Sequence, residues 1–142
     1  MKTAILAFLF LILIVSVSAQ WEWQNPSTTG NSLNNIECVT QSIFWTVGEA
    51  GVILKTTDGG NTWITQSSGT FNNLNSATFI DTMNGWVVGQ AGTILKTSNS
   101  GSQWQNIVND FDEYNLTSVS FINQNVGWIV GGKEILVAKT TS

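Results

Sequence analysis

One run of residues in this chain comes back at a fixed interval. Gly51-Val52-Ile53-Leu54-Lys55-Thr56-Thr57-Asp58-Gly59-Gly60-Asn61-Thr62-Trp63 returns as Gly92-Thr93-Ile94-Leu95-Lys96-Thr97-Ser98-Asn99-Ser100-Gly101-Ser102-Gln103-Trp104, 41 residues later. A period of that length means similar supersecondary units, none of which can bury its apolar face alone. A third copy lacks the last part of the run but keeps its spacing. Leu33, Leu74 and Leu116 each precede a tryptophan (Trp45, Trp86, Trp128) by 12 residues, and a glycine (Gly48, Gly89, Gly131) follows each tryptophan by 3. The repeats therefore cover about 33–67, 74–107 and 116–142.

Each copy divides into short strands. Ser76 to Ile80 and Ser118 to Ile122 alternate small or polar residues with apolar ones, the pattern of a half-buried strand. A polar turn follows (Asp81 to Asn84, Asn123 to Asn125), then Gly85 to Gly89 or Gly127 to Gly131. A glycine-bearing hairpin leads to Val52 to Lys55 or Thr93 to Lys96. The Asp58-Gly59-Gly60 turn delivers a fourth strand starting at Trp63. Four antiparallel strands in about 40 residues make a propeller blade. No segment after residue 19 carries a convincing helical period. The fold class expected is all-β, about three four-stranded β-propeller blades.

The first 19 residues read as a signal peptide: Lys2, an apolar run from Ala4 to Val15, and Val17-Ser18-Ala19 before Gln20. The run is shorter than the roughly 20 residues a membrane span needs. Residues 20–142 then form one repeat domain. Trp23-Gln24-Asn25 matches Trp104-Gln105-Asn106, so 20–25 reads as a blade-closing strand, the one the third copy lacks after Lys139. Three blades fall below the usual four to eight. The chain is expected to be a piece of a larger propeller, with an arc that completes its ring with another chain as the alternative.

After residue 19 the chain carries nine carboxylates against four lysines, with no histidine and no arginine. Nothing here suits a phosphate backbone or an anionic lipid surface. Cys38 is the only cysteine, which rules out an intrachain disulfide. It aligns with Phe79 and Phe121, so a buried, inert thiol is expected.

Thr56-x-Asp58-x-Gly60-x-Thr62-Trp63 is an Asp-box pattern. Its residue types suit a tight turn. Gly60 accommodates a positive φ, the Asp58 carboxylate can accept amide hydrogens across the turn, the threonine hydroxyls add local bonds, and Trp63 offers a large ring for burial. The second box keeps Thr97, Gly101 and Trp104 and puts Asn99 in place of the aspartate. A structural role tolerates that exchange, and none of these residues needs a substrate. Trp63→Ala is accordingly expected to destabilise strongly, and Asp58→Asn much less.

The run from Gly48 to Trp63, with Phe79, Trp86 and Gly89 at their spacing, resembles the photosystem II stability/assembly factor propeller family over nearly all of the chain from Trp21. The resemblance implies a seven-bladed-type propeller that binds protein and assists membrane-complex assembly without catalysis. The family's partner-binding surface is rich in arginine, and this chain has none. The function expected is an exported scaffold, secreted, periplasmic or at the cell surface, with a protein or glycan partner, no cofactor, and self-association as one way to complete a ring.

The alternative is a fragment of a secreted carbohydrate-binding or glycoside hydrolase Asp-box propeller. A sialidase-like site needs arginines for the substrate carboxylate. Other glycosidases need two carboxyl groups about 5–9 Å apart, for which Glu49, Glu134 and Asp81 are the candidates; all read as solvated turn residues. Asp110-Phe111-Asp112-Glu113 offers oxygen ligands but not the spacing of a calcium loop, so no metal is expected. Asn115-Leu116-Thr117 is a glycosylation sequon. Trp21 is expected to cover a sheet edge, and Trp23 to pack like Trp63.

Overall fold

A computed structural model describes residues 20–22, 29–132 and 136–140. The expected signal peptide, Trp23 to Asn25 and Glu134 lie outside these residues. Residues 20–22 form no strand, and Trp21, expected to cover an edge, is fully exposed.

The repeats fold into separate antiparallel sheets. The first holds β1 (Leu33–Cys38), β2 (Phe44–Gly48), β3 (Ile53–Thr56) and β4 (Ile64–Gln66), joined in that order. The second holds β5 (Leu74–Phe79), β6 (Gly85–Gly89), β7 (Ile94–Thr97) and β8 (Gln105–Asn106). The third holds β9 (Leu116–Asn123), β10 (Val126–Gly131) and β11 (Leu136–Lys139). A short 3₁₀ turn at Glu49–Gly51 makes the β2–β3 hairpin, and no α-helix occurs among the described residues. The sheets are propeller blades, and the strands fall where the repeat placed them.

The sheets stack face to face through two cores. Trp45, Val47 and Ile53 of the first sheet meet Leu74, Ala77, Val87 and Leu95 of the second. Trp86, Val88 and Ile94 of the second meet Leu116, Val119 and Ile129 of the third. The sheet in the middle is covered on both sides, and every residue of β6 is buried. In β10, Gly127 and Ile129 are buried while Trp128 and Val130 are exposed. The two strands have nearly the same sequence, so position in the stack sets their burial.

Position also corrects the expectation for Cys38, which is exposed. Its counterparts Phe79 and Phe121 lie on a tryptophan of the preceding sheet (Trp45 and Trp86). No described sheet precedes β1. The ring has also changed strands. In the second and third sheets the phenylalanine pairs with and covers a glycine, Gly85 or Gly127. In the first sheet Cys38 pairs with Phe44.

The glycine three residues after each tryptophan has one cause throughout. A Cβ on Gly48, Gly89 or Gly131 would run into the carbonyl of Ser32, Asn73 or Asn115. Each of those carbonyls accepts the amide hydrogen of the next residue, Glu49, Gln90 or Gly132, at 2.9 Å. The chain entering each sheet is thus tied to the second strand at a point where no side chain fits.

Candidate functional site

The first Asp-box closes on itself. The Thr56 hydroxyl donates to Asp58 Oδ1 at 2.7 Å and accepts the Gly60 amide at 3.0 Å. Asp58 Oδ1 accepts the Thr62 amide at 2.9 Å, and Oδ2 accepts the Thr62 hydroxyl at 2.7 Å. Gly60 has φ of 98°. In the second box the Thr97 hydroxyl accepts the Gly101 amide at 2.9 Å, and Asn99 Oδ1 accepts the Gln103 amide at 2.9 Å. Gly101 has φ of 78°. Asparagine therefore reproduces the turn but not the bond to a second hydroxyl, because Gln103 stands where Thr62 does.

These bonds, the Thr62 hydroxyl first among them, lower the Asp58 pKa from its ordinary 3.8 to about 2. A lowered carboxylate pKa contributes stability that is present above the unfolded value and lost as pH falls through the folded one. Asp58→Asn should leave stability near neutrality only slightly changed, since Asn99 already serves in the second box. It should flatten the acid loss between pH 4 and 2, as read by thermal melts across that range. An unchanged acid limb would show that Asp58 does not carry it.

The two boxes place their tryptophans differently. Trp104 packs edge-on against Trp45 (5.9 Å between ring centroids) and Phe79 (6.1 Å), which themselves stack at 4.6 Å and 17°. Both tryptophans are half-buried, but among the described residues Trp63 belongs to neither core. Trp104→Ala should lower the melting temperature more than Trp63→Ala; the reverse order would contradict this packing.

At the next interface Trp86 and Phe121 stack at 3.8 Å and 5°. Where the first interface has Trp104, this one has a cavity of about 210 Å³, lined by Trp86, Ile94, Lys96, Ile107, Phe121, Gln124 and Thr140. Two rings and a ring-sized space stand in place of three rings.

A lysine ladder runs through the same positions, and the sequence reading passed over it. Lys55, Lys96 and Lys139 pair across strands with Trp45, Trp86 and Trp128. Their ammonium groups lie 4.8, 5.4 and 5.6 Å from the ring centroids, within cation–π range. Lys55 also donates to the carbonyl (3.1 Å) and hydroxyl (2.6 Å) of Ser100 in the second box. Burial lowers its pKa below the usual lysine value. The signal was a lysine 10 residues after the first two repeat tryptophans and 11 after the third.

Of the carboxylates considered for catalysis, Glu134 lies outside the described residues, and Asp81 and Glu49 sit in turns of different sheets. Asp81 Oδ1 accepts the amides of Met83 and Asn84 at 2.7 Å and is held within its own turn, its pKa lowered chiefly by the Asn84 side chain. Glu49 is exposed on the first hairpin. In the acidic loop, Phe111 turns inward to the second core and Asp112 lines a polar cleft with Thr93, Asn106 and Asn109. No three acidic, histidine or cysteine side chains gather among the described residues. Asn115 of the sequon accepts a bond from the Asn75 side chain at 2.8 Å.

Comparison with known proteins gives the following. Residues 69–142 match the family described as photosynthesis system II assembly factor YCF48. Among solved structures, YCF48 bound to D1 peptide aligns with a TM-score of 0.70 at 20% identity, over 80% of this chain and 37% of that one. YCF48 from Cyanidioschyzon merolae aligns with a TM-score of 0.66 at 16% identity, over 80% and 38%. The chain thus spans a little over a third of the length of these structures. No curated protein matches it.

Proposed function

Because the chain belongs to the photosynthesis system II assembly factor YCF48 family, we propose that it is an exported, non-catalytic scaffold that binds a partner protein through an extended segment. One observation carries this reading. The cavity between Trp86 and Phe121 is bordered by Thr140, just past β11, the last strand of the third sheet among the described residues. One sheet earlier the same position holds Trp104, delivered by the strand that pairs with β7. A peptide adding to β11 through backbone hydrogen bonds would bring an aromatic side chain into the same relation to Trp86 and Phe121. A solved relative holds a D1 peptide, which is consistent with peptide recognition.

Export is inferred from residues 1–19, with the mature chain beginning at Gln20 and acting in the periplasm, at the cell surface or outside the cell. The Asp-boxes fasten hairpins in this reading. Asp58 and Asp81 are engaged in their own turns, and the sequence has no histidine to serve as a base.

The test uses a labelled synthetic peptide with the sequence of residues 99–108, which carries the Trp104 strand, titrated into the full chain by fluorescence anisotropy. Saturable binding is expected. It should weaken about tenfold with Phe121→Ala or when the peptide's tryptophan becomes alanine, roughly the worth of one aromatic contact. Absence of binding, or binding indifferent to both changes, would refute the socket. Hydrolysis of chromogenic glycosides by the purified chain would overturn the non-catalytic reading.

A further inference from the structure

The box turns share one end of the sheets with the β1–β2 and β5–β6 turns, whose Ser42 and Met83 carbonyls accept the Gly59 and Ser100 amides. The opposite end is built differently. There the β2–β3 and β6–β7 hairpins each hold a loop that leads to the next sheet. Gly51 lies so close to the Thr70 carbonyl, and Gly92 to the Phe111 carbonyl, that neither has room for a Cβ. The Gly92 amide donates to the Tyr114 carbonyl at 2.9 Å, and the Asn109 side chain donates to the Gly92 carbonyl at 3.0 Å. The Ala50 amide donates to Asn73 Oδ1 at 3.0 Å, and the Phe111 amide to Asn109 Oδ1 at 2.8 Å. Both loops are pinned in place, so little ordering remains for a ligand to impose.

Between them lies the polar cleft of Asp112, about 220 Å³, bounded also by Thr70, Asn72, Thr93, Asn106 and Asn109. It belongs to the middle sheet, which has a sheet against each face. Small-molecule sites usually run to about 300–1,000 Å³, so a space of this size suits one long side chain. The chemistry of the walls selects its charge. One Asn72 amide hydrogen goes to the Thr93 hydroxyl (2.9 Å), which itself donates to the Gln90 carbonyl (2.6 Å). Asn109 spends its donors on the Gly92 and Ile107 carbonyls. Among the described residues Asp112 is the one charged side chain lining the cleft, and it is exposed. Glu49, Asp110 and Glu113 are exposed at the same end. The three lysines among the described residues lie over tryptophans, toward the box turns. A surface so charged attracts cationic groups and repels anionic ones.

Beside the cleft stand two apolar side chains that the pinned loops hold in solvent. Val108, on its rim, is 97% exposed. Phe71, across Thr70, is 92% exposed and lines an adjoining hollow with Ala50 and Gly51. We propose that this end docks a basic segment of a partner protein. A lysine or arginine side chain of that segment enters the cleft toward Asp112, and an apolar neighbour covers Val108 and Phe71. The site is independent of the socket beside Trp86, with which it shares only Ile107 among the described residues.

An array of short peptides that varies lysine, glutamate, leucine and serine at each position, probed with the labelled full chain, tests this. Captured peptides are expected to place lysine beside leucine, and glutamate in place of that lysine should abolish capture. The tightest peptide is then titrated by fluorescence anisotropy. Asp112→Asn and Val108→Ser should each raise its dissociation constant about tenfold, roughly the worth of one charge-assisted hydrogen bond or one apolar contact. Affinity should fall as salt rises. Asp112→Lys should reverse the preference, so that the glutamate peptide binds and the lysine peptide does not, which no loss of folding would produce. Phe121→Ala should leave this binding unchanged, and Asp112→Asn should leave binding of the 99–108 peptide unchanged, so the two sites fail separately. No capture, capture without a preference for lysine, indifference to Asp112→Asn, or no reversal with Asp112→Lys would overturn the proposal.

Discussion

Replacing Trp45 with alanine should cost about 3–5 kcal/mol, as for other fully buried large aromatics. Trp45 is wholly buried, stacked on Phe79, met edge-on by Trp104, covered by Lys55 and pressed against Gly101. Its loss removes the burial of the ring and aromatic contacts worth about 0.5–1.5 kcal/mol beyond that burial. It also leaves Lys55, whose pKa burial already lowers, without its ring. Against a domain stability of about 5–15 kcal/mol, that is a large fraction. Trp128→Ala changes the same repeat position where no sheet follows among the described residues, so about 1 kcal/mol or less is expected. Urea denaturation followed by far-UV circular dichroism measures both. Should the alanine variant fail to fold, Trp45→Phe keeps a ring on Phe79 and should show an intermediate loss. Equal losses at Trp45 and Trp128 would mean that stacking between sheets does not hold the fold together.

Gly89→Ala is expected to cost about 1–3 kcal/mol, the usual range for forcing a methyl group into a packed interior. The added carbon meets the Asn73 carbonyl, which cannot retreat without stretching its bond to the Gln90 amide. The penalty is steric, and it should recur at Gly48 and Gly131, where Ser32 and Asn115 stand in the same place. Gly30 has open space around it, so Gly30→Ala should stay within about 0.5 kcal/mol of the parent. Chemical denaturation midpoints decide between them. A Gly89→Ala protein as stable as the Gly30→Ala one would remove the account of why that glycine repeats.

Much of this was legible in advance because it depends on local chemistry. The box turns follow from Thr56, Asp58, Gly60 and Thr62, which lie within a few residues of one another and bond mainly to themselves. The strands follow from alternation and from glycine turns, and both were placed to within about two residues at most boundaries. The candidate site was less legible. Lys55 reaches Ser100 from the neighbouring sheet, and the cavity beside Trp86 exists because one interface has a third ring and the other does not. No spacing rule within a single repeat contains either fact.

Cys38 shows the boundary most clearly. Its alignment with Phe79 and Phe121 correctly identified a position on the first strand, and the inference of burial from that position failed. The 41-residue period, with its tryptophans, leucines and glycines in step, determined by itself that this chain forms four-stranded antiparallel units that stack. Only the tertiary structure decided which copy of each residue is covered, because burial belongs to a pair of sheets and identical residues differ according to whether a neighbour lies against them.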